Sequence, residues 1–301
     1  MTVVVVGDVM NDVVVRARGP VEVGSDTESD IRRSPGGSGA NQAAWLASLG
    51  VPVRFYGRTG AADADEHRGA LGRLGVDARL AVDHTVQTGN IVVLVASDGE
   101  RSMFTDRGAN WRLEAADLPG SASELAGVAH VHVSGYALFE PATRQPVVAL
   151  IGLARRLSVP VSCDPSSESY LRAMGRELFF ALTSGVETIF PNASEARLLA
   201  GGARGDPDET VAHALSAHYP TVVVKLGPRG ALLATRGTAP VRVEGPEVDV
   251  VDTTGAGDAL CAGYLAASLA GATALDAVRA GIDTAARAVI RMGGRPPETV
   301  I

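Results

Sequence analysis

Apolar positions along this chain follow two rhythms. Short β-branched runs recur at Thr2–Val6 and at residues 53–56, 130–134, 159–163, 187–190 and 221–226. Near-continuous apolar runs of this length suit strands covered on both faces. Between them lie alanine-rich stretches with apolar residues three and four apart. Residues 40–49 place Ala43, Ala44, Leu46, Ala47 and Leu49 on one buried face. Further helices are predicted over 63–74, with Asp63 as N-cap, and over 141–157, Ala193–Ala200 and 209–218. Two more close the chain at 256–270 and 274–292. The alternation predicts a mostly parallel sheet between two helical layers. Right-handed crossovers then gather the loops at the carboxyl ends of the strands, where ligands bind.

Two segments break the rhythm. Residues 13–31 are strand-like, then acidic and poor in helix signals. Residues 85–104 read as a hairpin, with strands at 91–96 and 101–105 and a turn at Asp98-Gly99. Together they would make a small second sheet projecting from the core, with ordinary surface hairpins as the plain alternative. The organisation expected is an α/β core over 1–12, 35–84 and 111–301, with a β lid over 13–34 and 85–110.

Composition narrows the function. The 301 residues suffice for one large α/β domain. A net charge of −7 without a basic run argues against a nucleic-acid reader. Cys163 and Cys261 sit far apart in apolar surroundings and read as buried thiols of a reducing cytoplasm. No stretch is apolar and long enough to span a membrane, and the first residues read as a strand, not as a signal peptide. Of the 27 basic residues, only Lys225 is lysine.

The strongest chemical signal is Asp252-Thr253-Thr254-Gly255-Ala256-Gly257-Asp258, a glycine-rich turn entering a long apolar helix. The amides of Gly255, Ala256, Gly257 and Asp258 are the first donors of that helix, and with its dipole they form an anion site. Asp258 puts a carboxylate beside it, which is the arrangement phosphoryl transfer to an alcohol needs. A capped helix with a first-turn acid is the plain structural alternative. Pro35-Gly36-Gly37-Ser38-Gly39-Ala40-Asn41 brings backbone close to a ligand and offers the Asn41 amide to a hydroxyl, or is simply a tight loop. Asn192 and Glu195, three apart, either position hydrated magnesium or form a capping box. Lys225-Leu226-Gly227-Pro228-Arg229-Gly230 is a strand end and tight turn that fits nucleotide phosphate or a bare hairpin. His130 and His132 share one strand face and read as structural. No Walker loop and no dinucleotide-binding fingerprint is present.

In this order, Gly7-Asp8 with Asp12, GGSGAN, PNASE, KLGPRG and DTTGAGD resemble the ribokinase-like, or PfkB, family of carbohydrate kinases. The two glycine motifs lie roughly 215 residues apart, Gly39 to Gly255. The resemblance implies a three-layer, Rossmann-like ribokinase fold with a β lid, and transfer of the γ-phosphate of ATP to a sugar hydroxyl with Mg2+. It implies Asp258 as base, with Gly255, Ala256 and Gly257 as anion hole. Asp12, Gly37 and Asn41 match sugar contacts. Asn192, Lys225, Gly227 and Gly230 match the nucleotide side. Glu195 and Asp164 match groups that reach magnesium through water. Asp252 and the Thr254 carbonyl match a K+ site found in part of the family, completed by backbone near Ala288 and Gly293. A cytoplasmic homodimer is the implied state.

The departures concern the acceptor. Ser38 replaces the lysine common in ribokinases, and Met10 replaces an asparagine. Ser134-Gly135 lacks the usual acid. These three changes argue against ribose itself, whereas Pro297, standing where ribokinases often carry serine, argues against activation by K+. A nucleoside or sugar-phosphate acceptor is the second reading, with Arg101 and Arg107 as the basic residues a phosphate would need. A non-catalytic sugar- or nucleotide-binding regulator is the third.

Overall fold

The four valines of the first strand have no exposed face: Val3, Val4, Val5 and Val6 are each 0% accessible. Side chains alternate across a strand, so a run buried throughout must be covered on both sides. In chain order the computed structural model, which describes residues 1–95 and 101–298, begins β1 (Thr2–Val6), β2 (Met10–Ala17), β3 (Ser29–Gly36), α1 (Ser38–Ser48), β4 (Val53–Gly60), α2 (Ala64–Arg73) and β5 (Val76–Asp83). There follow β6 (Thr88–Val95), β7 (Arg101–Gly108), β8 (Val128–Ser134), α3 (Tyr136–Phe139), α4 (Pro141–Arg156) and β9 (Val161–Asp164). Next come α5 (Glu168–Met174), α6 (Arg176–Leu182), β10 (Thr188–Ile189), α7 (Ala193–Ala200), α8 (Asp208–Leu215) and β11 (Thr221–Lys225). The last elements are β12 (Ala231–Thr235), β13 (Val241–Val243), α9 (Ala256–Leu269) and α10 (Ala274–Val289).

The large sheet has the order β13-β12-β11-β10-β9-β8-β1-β4-β5. From β11 to β5 it is parallel, and β12 and β13 add an antiparallel edge. Val4 and Val6 face one apolar layer with Val147, Leu150, Leu199 and Leu215. Val3 and Val5 face the other, with Leu46, Leu260, Leu265 and Ile282. The result is the expected helix–sheet–helix stack.

The two irregular segments meet in one four-stranded sheet, β3-β2-β6-β7. β2 and β3 pair antiparallel from Met10↔Gly36 to Ala17↔Ser29, and β6 pairs antiparallel with β7. The join is parallel, β2 with β6, and places Asp12 beside Ile91. The turn expected at Asp98-Gly99 lies outside the described residues, as does the side chain of Arg101.

Several boundaries differ from the sequence reading, each for a physical reason. α1 starts at Ser38 because Gly37, at φ 98°, turns the chain sharply into the helix. Gly39 and Asn41 are therefore in its first turn and not in a loop. β4 runs on to Gly60 because it stays paired with β5 as far as Gly60↔Asp83. α10 ends at Val289, short of 292. Asp63 precedes α2 but does not cap it. Its carboxylate accepts instead from Asn11 Nδ2 at 2.7 Å and from the Thr88 hydroxyl, which ties α2 to the small sheet.

α9 and α10 cross closely because glycines sit at the contact. A Cβ on Gly263 would stand 2.4 Å from Thr284 Oγ1 and 2.7 Å from the Ala280 carbonyl oxygen. Gly263→Ala gains about 1 kcal/mol of helix propensity, but overpacking against backbone costs about 1–3 kcal/mol. Urea denaturation is expected to show a net loss of stability. A more stable Gly263→Ala would mean that the helices separate without penalty.

Candidate active site

Parallel strands deliver their carboxyl ends to one edge of the sheet. β1 leads to Asp8, β8 to Ser134, β9 to Asp164, β10 to Asn192 and β11 to Lys225. Asn192 lies alongside Lys225, whose amide donates to the Pro191 carbonyl at 2.8 Å. Two helices start at the same edge. α1 approaches closely because glycine meets glycine: a Cβ on Gly39 would lie 2.6 Å from Gly7 Cα. Asp8 fixes that start, accepting from the Gly39 amide at 3.0 Å through Oδ1. α9 starts after Gly255, at φ 75°, packed on Gly294.

Asp258 sits where the two helix starts converge. Its carboxylate accepts from Ser38 Oγ at 2.6 Å and Asn41 Nδ2 at 3.0 Å. Burial raises its pKa to about 7. The Ser38 bond opposes this, the Asp164 charge adds to it, and Asn41 and Lys225 oppose it further. The Ala256 amide, expected to be an unpaired donor, instead donates to the Thr253 carbonyl at 3.3 Å, because the entry to α9 closes a tight turn. Gly257 and Asp258 are then the first amides beyond that turn, and a helix supplies no carbonyl four residues back to amides this near its start.

Lys225 lies against this helix start, its Nζ 3.2 Å from where a Gly257 Cβ would be. Its ammonium donates to Asp164 Oδ2 at 2.8 Å, in a nearly buried ion pair that raises the pKa of the lysine above its ordinary value despite burial. Asp164 Oδ2 also accepts from Gln42 Nε2 at 3.1 Å, and Oδ1 from the Ser166 amide. That fixes the Gln42 amide, so its Oε1 must accept from His132 Nε2 at 3.1 Å. His132 Nδ1 then accepts from the Ser162 hydroxyl at 2.7 Å, and that oxygen accepts from His130 Nε2 at 2.7 Å. Burial pushes both histidines down to about 3, so both are neutral. The pair that read as merely structural is thus the far end of a buried chain reaching Lys225.

The other predicted residues fall as follows. Asn192 and Glu195 form a capping box on α7: Asn192 Oδ1 accepts from the Glu195 amide at 2.9 Å, and Glu195 Oε2 from the Asn192 amide at 2.8 Å. Glu195 is 1% exposed, and burial, opposed by Lys225, raises its pKa to about 7. Gly227 and Gly230 both have positive φ in a turn closed by Gly230 N to Gly227 O at 3.0 Å. Asp252 accepts from the Thr254 amide at 3.0 Å and the Gly293 amide at 3.0 Å, joining the start of α9 to the end of α10. Gly37 packs on Asp8, where a Cβ would stand 2.4 Å from its carbonyl oxygen. Asp12 lies on β2, and burial raises its pKa to about 6, with Asp8 adding to the rise and Arg295 opposing it.

Three contributors, Ser38, Gln42 and Arg295, escaped the sequence reading, and Asp8 entered it only as part of a motif. Ser38 registered only as a missing lysine, and Gln42 as one helix residue among others. Asp8 donates nothing but accepts from the Gly39 amide and from Arg107 Nη1 at 2.8 Å. Arg107 is therefore committed: its guanidinium carbon stands 3.4 Å above the centre of the Tyr136 ring. Arg295 follows α10 and donates to Asn41 Oδ1 at 3.3 Å and the Gly36 carbonyl at 2.9 Å. The adjacency of Ser38 and Gln42 to the glycine loop was the one available signal. Arg295 left none.

A triphosphate tail fits the start of α9 on the chemistry present: early amides, a glycine that lets backbone approach, and a pinned ammonium. No cluster of three or more His, Cys, Asp or Glu side chains among the described residues holds a metal by itself. A magnesium ion here would therefore draw on nucleotide oxygens and water. Two other hollows, of about 400 Å3 around Arg58, Asp83 and Arg112 and about 420 Å3 around His130 and Tyr264, do not contain Asp258.

Residues 1–300 match the family described as "pfkB family carbohydrate kinase". The chain is 30% identical over 285 residues to a ribokinase of Arabidopsis thaliana, covering 89% of this chain and 70% of the relative. It is 31% identical over 267 residues to an ATP-dependent ribose-1-phosphate kinase of Halopiger xanaduensis, covering 86% and 82%. The solved structure of Arabidopsis thaliana ribokinase complexed with ribose and ATP superposes with a TM-score of 0.78 at 28% identity, over 97% and 93% of the two chains. No helix among the described residues is long and apolar enough to cross a membrane.

The raised carboxyl group at Asp258 carries a stability signature. Its folded pKa, about 7, lies above the ordinary value of 3.8. The folded state therefore binds more protons than the unfolded state between those values, and the contribution of this group to stability falls as pH rises from about 4 to 7. Asp258→Asn keeps the shape without the charge. It is expected to be more stable than wild type at pH 8, with the difference shrinking towards pH 4. Thermal unfolding at both pH values measures this, and equal differences at both would show that Asp258 is not held in a penalised ionised state.

Proposed function

The chain belongs to the pfkB family of carbohydrate kinases, and from that premise we propose that Asp258 is the base which accepts the proton of a sugar-like hydroxyl as the γ-phosphate of ATP is transferred to it. The observation that carries the reading is the Asp258 carboxylate, held by Ser38 and Asn41 at the first turn of α9 with the Lys225 ammonium beside Gly257. When bound, ATP supplies the phosphoryl group and magnesium neutralises part of its charge.

The residues of the chain do the rest. The amides of Gly257 and Asp258 and the Lys225 ammonium meet the negative charge that builds on the transferred group. Asp164 and Gln42 hold that ammonium in place. A base with a pKa near 7 is matched to neutral pH, where proton acceptance is most effective. Asp12 on β2 and Asn41 on α1 order the acceptor, so the small sheet acts as a lid across it. Asn192, Gly227 and Gly230 lie on the nucleotide side. Asp252 and the Thr254 carbonyl remain the candidate K+ ligands. A homodimer through the small sheet is part of the reading, since its strands expose Ile31, Met103 and Phe104.

A phosphorylated acceptor loses its best support, because Arg107 is paired with Asp8 and stacked on Tyr136. A non-catalytic regulator would not need a carboxylate kept at the penalised position of Asp258.

Two outcomes are expected. Asp258→Asn lowers turnover by about 10²–10⁴-fold while the ATP affinity, measured by calorimetry, stays within a few-fold. Wild-type kcat rises with pH through about 7 and then levels, as the carboxyl group ionises, and that limb disappears in Asp258→Asn. Near-normal turnover in the variant would remove Asp258 from the role of base. ATP consumption independent of any acceptor would count against sugar phosphorylation.

A further inference from the structure

Arg295 stands beyond α10, outside every motif of the sequence, yet its side chain reaches into the acceptor region. Two of its nitrogens are spent: Nη2 donates to the Gly36 carbonyl and Nε to Asn41 Oδ1. The third, Nη1, is shielded from solvent and has no hydrogen-bond partner. Asp12 Oδ1, on the small-sheet side, is shielded and unpartnered as well. Each feels the charge of the other, but among the described residues no ion pair joins them. Buried polar groups are rarely left unpaired. Both side chains lie against Gly36, Arg295 through its carbonyl and Asp12 through its Cα. Arg295 also holds Asn41, the partner of Asp258, so an orphan donor and an orphan acceptor here mark the place of a ligand's polar group.

We infer that Arg295 reads the acceptor, and that with Asp12 it selects an uncharged polyol at this end of the site. The inference rests on the proposal that the acceptor lies between Asp12 and Asp258. A hydroxyl accepts from Nη1 and donates to Asp12 Oδ1, so one hydroxyl or a neighbouring pair satisfies both groups. A carboxylate or phosphate would satisfy Arg295 alone and face the Asp12 carboxylate as a like charge. Asp8 and Asp252 add to that repulsion. Arg107, the other cation that Asp12 feels, is already committed to Asp8. The guanidinium thus neutralises Asp12 and still keeps one N–H for a hydroxyl, which is discrimination by an unpaired charge against the wrong ligand.

The test is steady-state kinetics of the full chain with ATP and two sets of probes. The neutral set is ribose, fructose and adenosine; the anionic set is ribose 5-phosphate, fructose 6-phosphate and gluconate. Wild type is expected to have at least a tenfold higher kcat/KM for its best neutral probe than for any anionic one. Arg295→Gln is expected to raise the KM for that neutral probe at least tenfold while the KM for ATP stays within twofold. Arg295→Lys, which keeps the charge but not the fork, should fall between them. Asp12→Asn should shift the anionic-to-neutral ratio of kcat/KM upward at least tenfold, and adding Arg295→Gln should cancel that gain. Melting temperatures of all variants separate unfolding from a change in recognition. Turnover with an unchanged acceptor KM in both Arg295 variants would overturn the inference and leave the kinase reading standing. A wild type that prefers an anionic probe, with that preference lost in Arg295→Gln, would overturn it too. No acceptor-dependent ATP consumption with any probe would overturn both.

Discussion

Everything at the carboxyl edge of the large sheet depends on one carboxylate kept where it is costly to ionise. Asp258 is buried, and among the described residues the side chains that bond to its carboxylate are Ser38 and Asn41. Both come from the opening turn of α1, while Asp258 belongs to the opening turn of α9. The two helices must therefore begin within a hydrogen bond of one another, although more than 200 residues separate them in sequence. That constraint explains the glycines better than any local rule. Gly37 bends the chain into α1, Gly7 and Gly39 let two backbones touch, and Gly255 brings α9 onto Gly294. Remove the close approach and the carboxylate is either solvated, with an ordinary pKa, or buried without donors.

Around that centre the charges are arranged in nested pairs. Asp8 is matched by Arg107, Asp164 by Lys225, and Asp12 is opposed at longer range by Arg295. Buried pairs of this kind add little to net stability, because desolvation consumes most of their attraction. What they add is position. Lys225 reaches Gly257 because Asp164 holds it, and Asp164 is held in turn by Gln42 and the neutral histidine–serine chain behind it. The histidines titrate near 3, so this scaffold does not change across the pH range in which Asp258 does.

The sequence made the layers legible because their signals are local. Thr2–Val6, residues 130–134 and residues 221–226 are apolar on both faces, and only a covered parallel sheet accepts such runs. The glycine-rich turn before Asp258 was legible for the same reason. The start of α1 was not, since Gly36-Gly37-Ser38-Gly39 looks like a loop until Gly7 is seen packed against it. Asp63 looked like an N-cap because residue type and place agreed, but Asn11 and Thr88 compete for it from the small sheet. The parallel union of β2 with β6 and the reach of Arg295 to Asn41 depend on contacts between distant segments, and no periodicity encodes those.

The chain uses arginine almost exclusively for positive charge, and its one lysine is the ammonium beside Gly257. Only one side-chain amine can therefore react with an acylating or reductively alkylating reagent. That amine is partly covered and locked in the protonated state by Asp164, so it is chemically masked while the pair is closed. A covalent tag appearing on lysine would therefore report a single event, the opening of the Lys225–Asp164 pair beside the start of α9. The protein carries its own reporter there, without an engineered label.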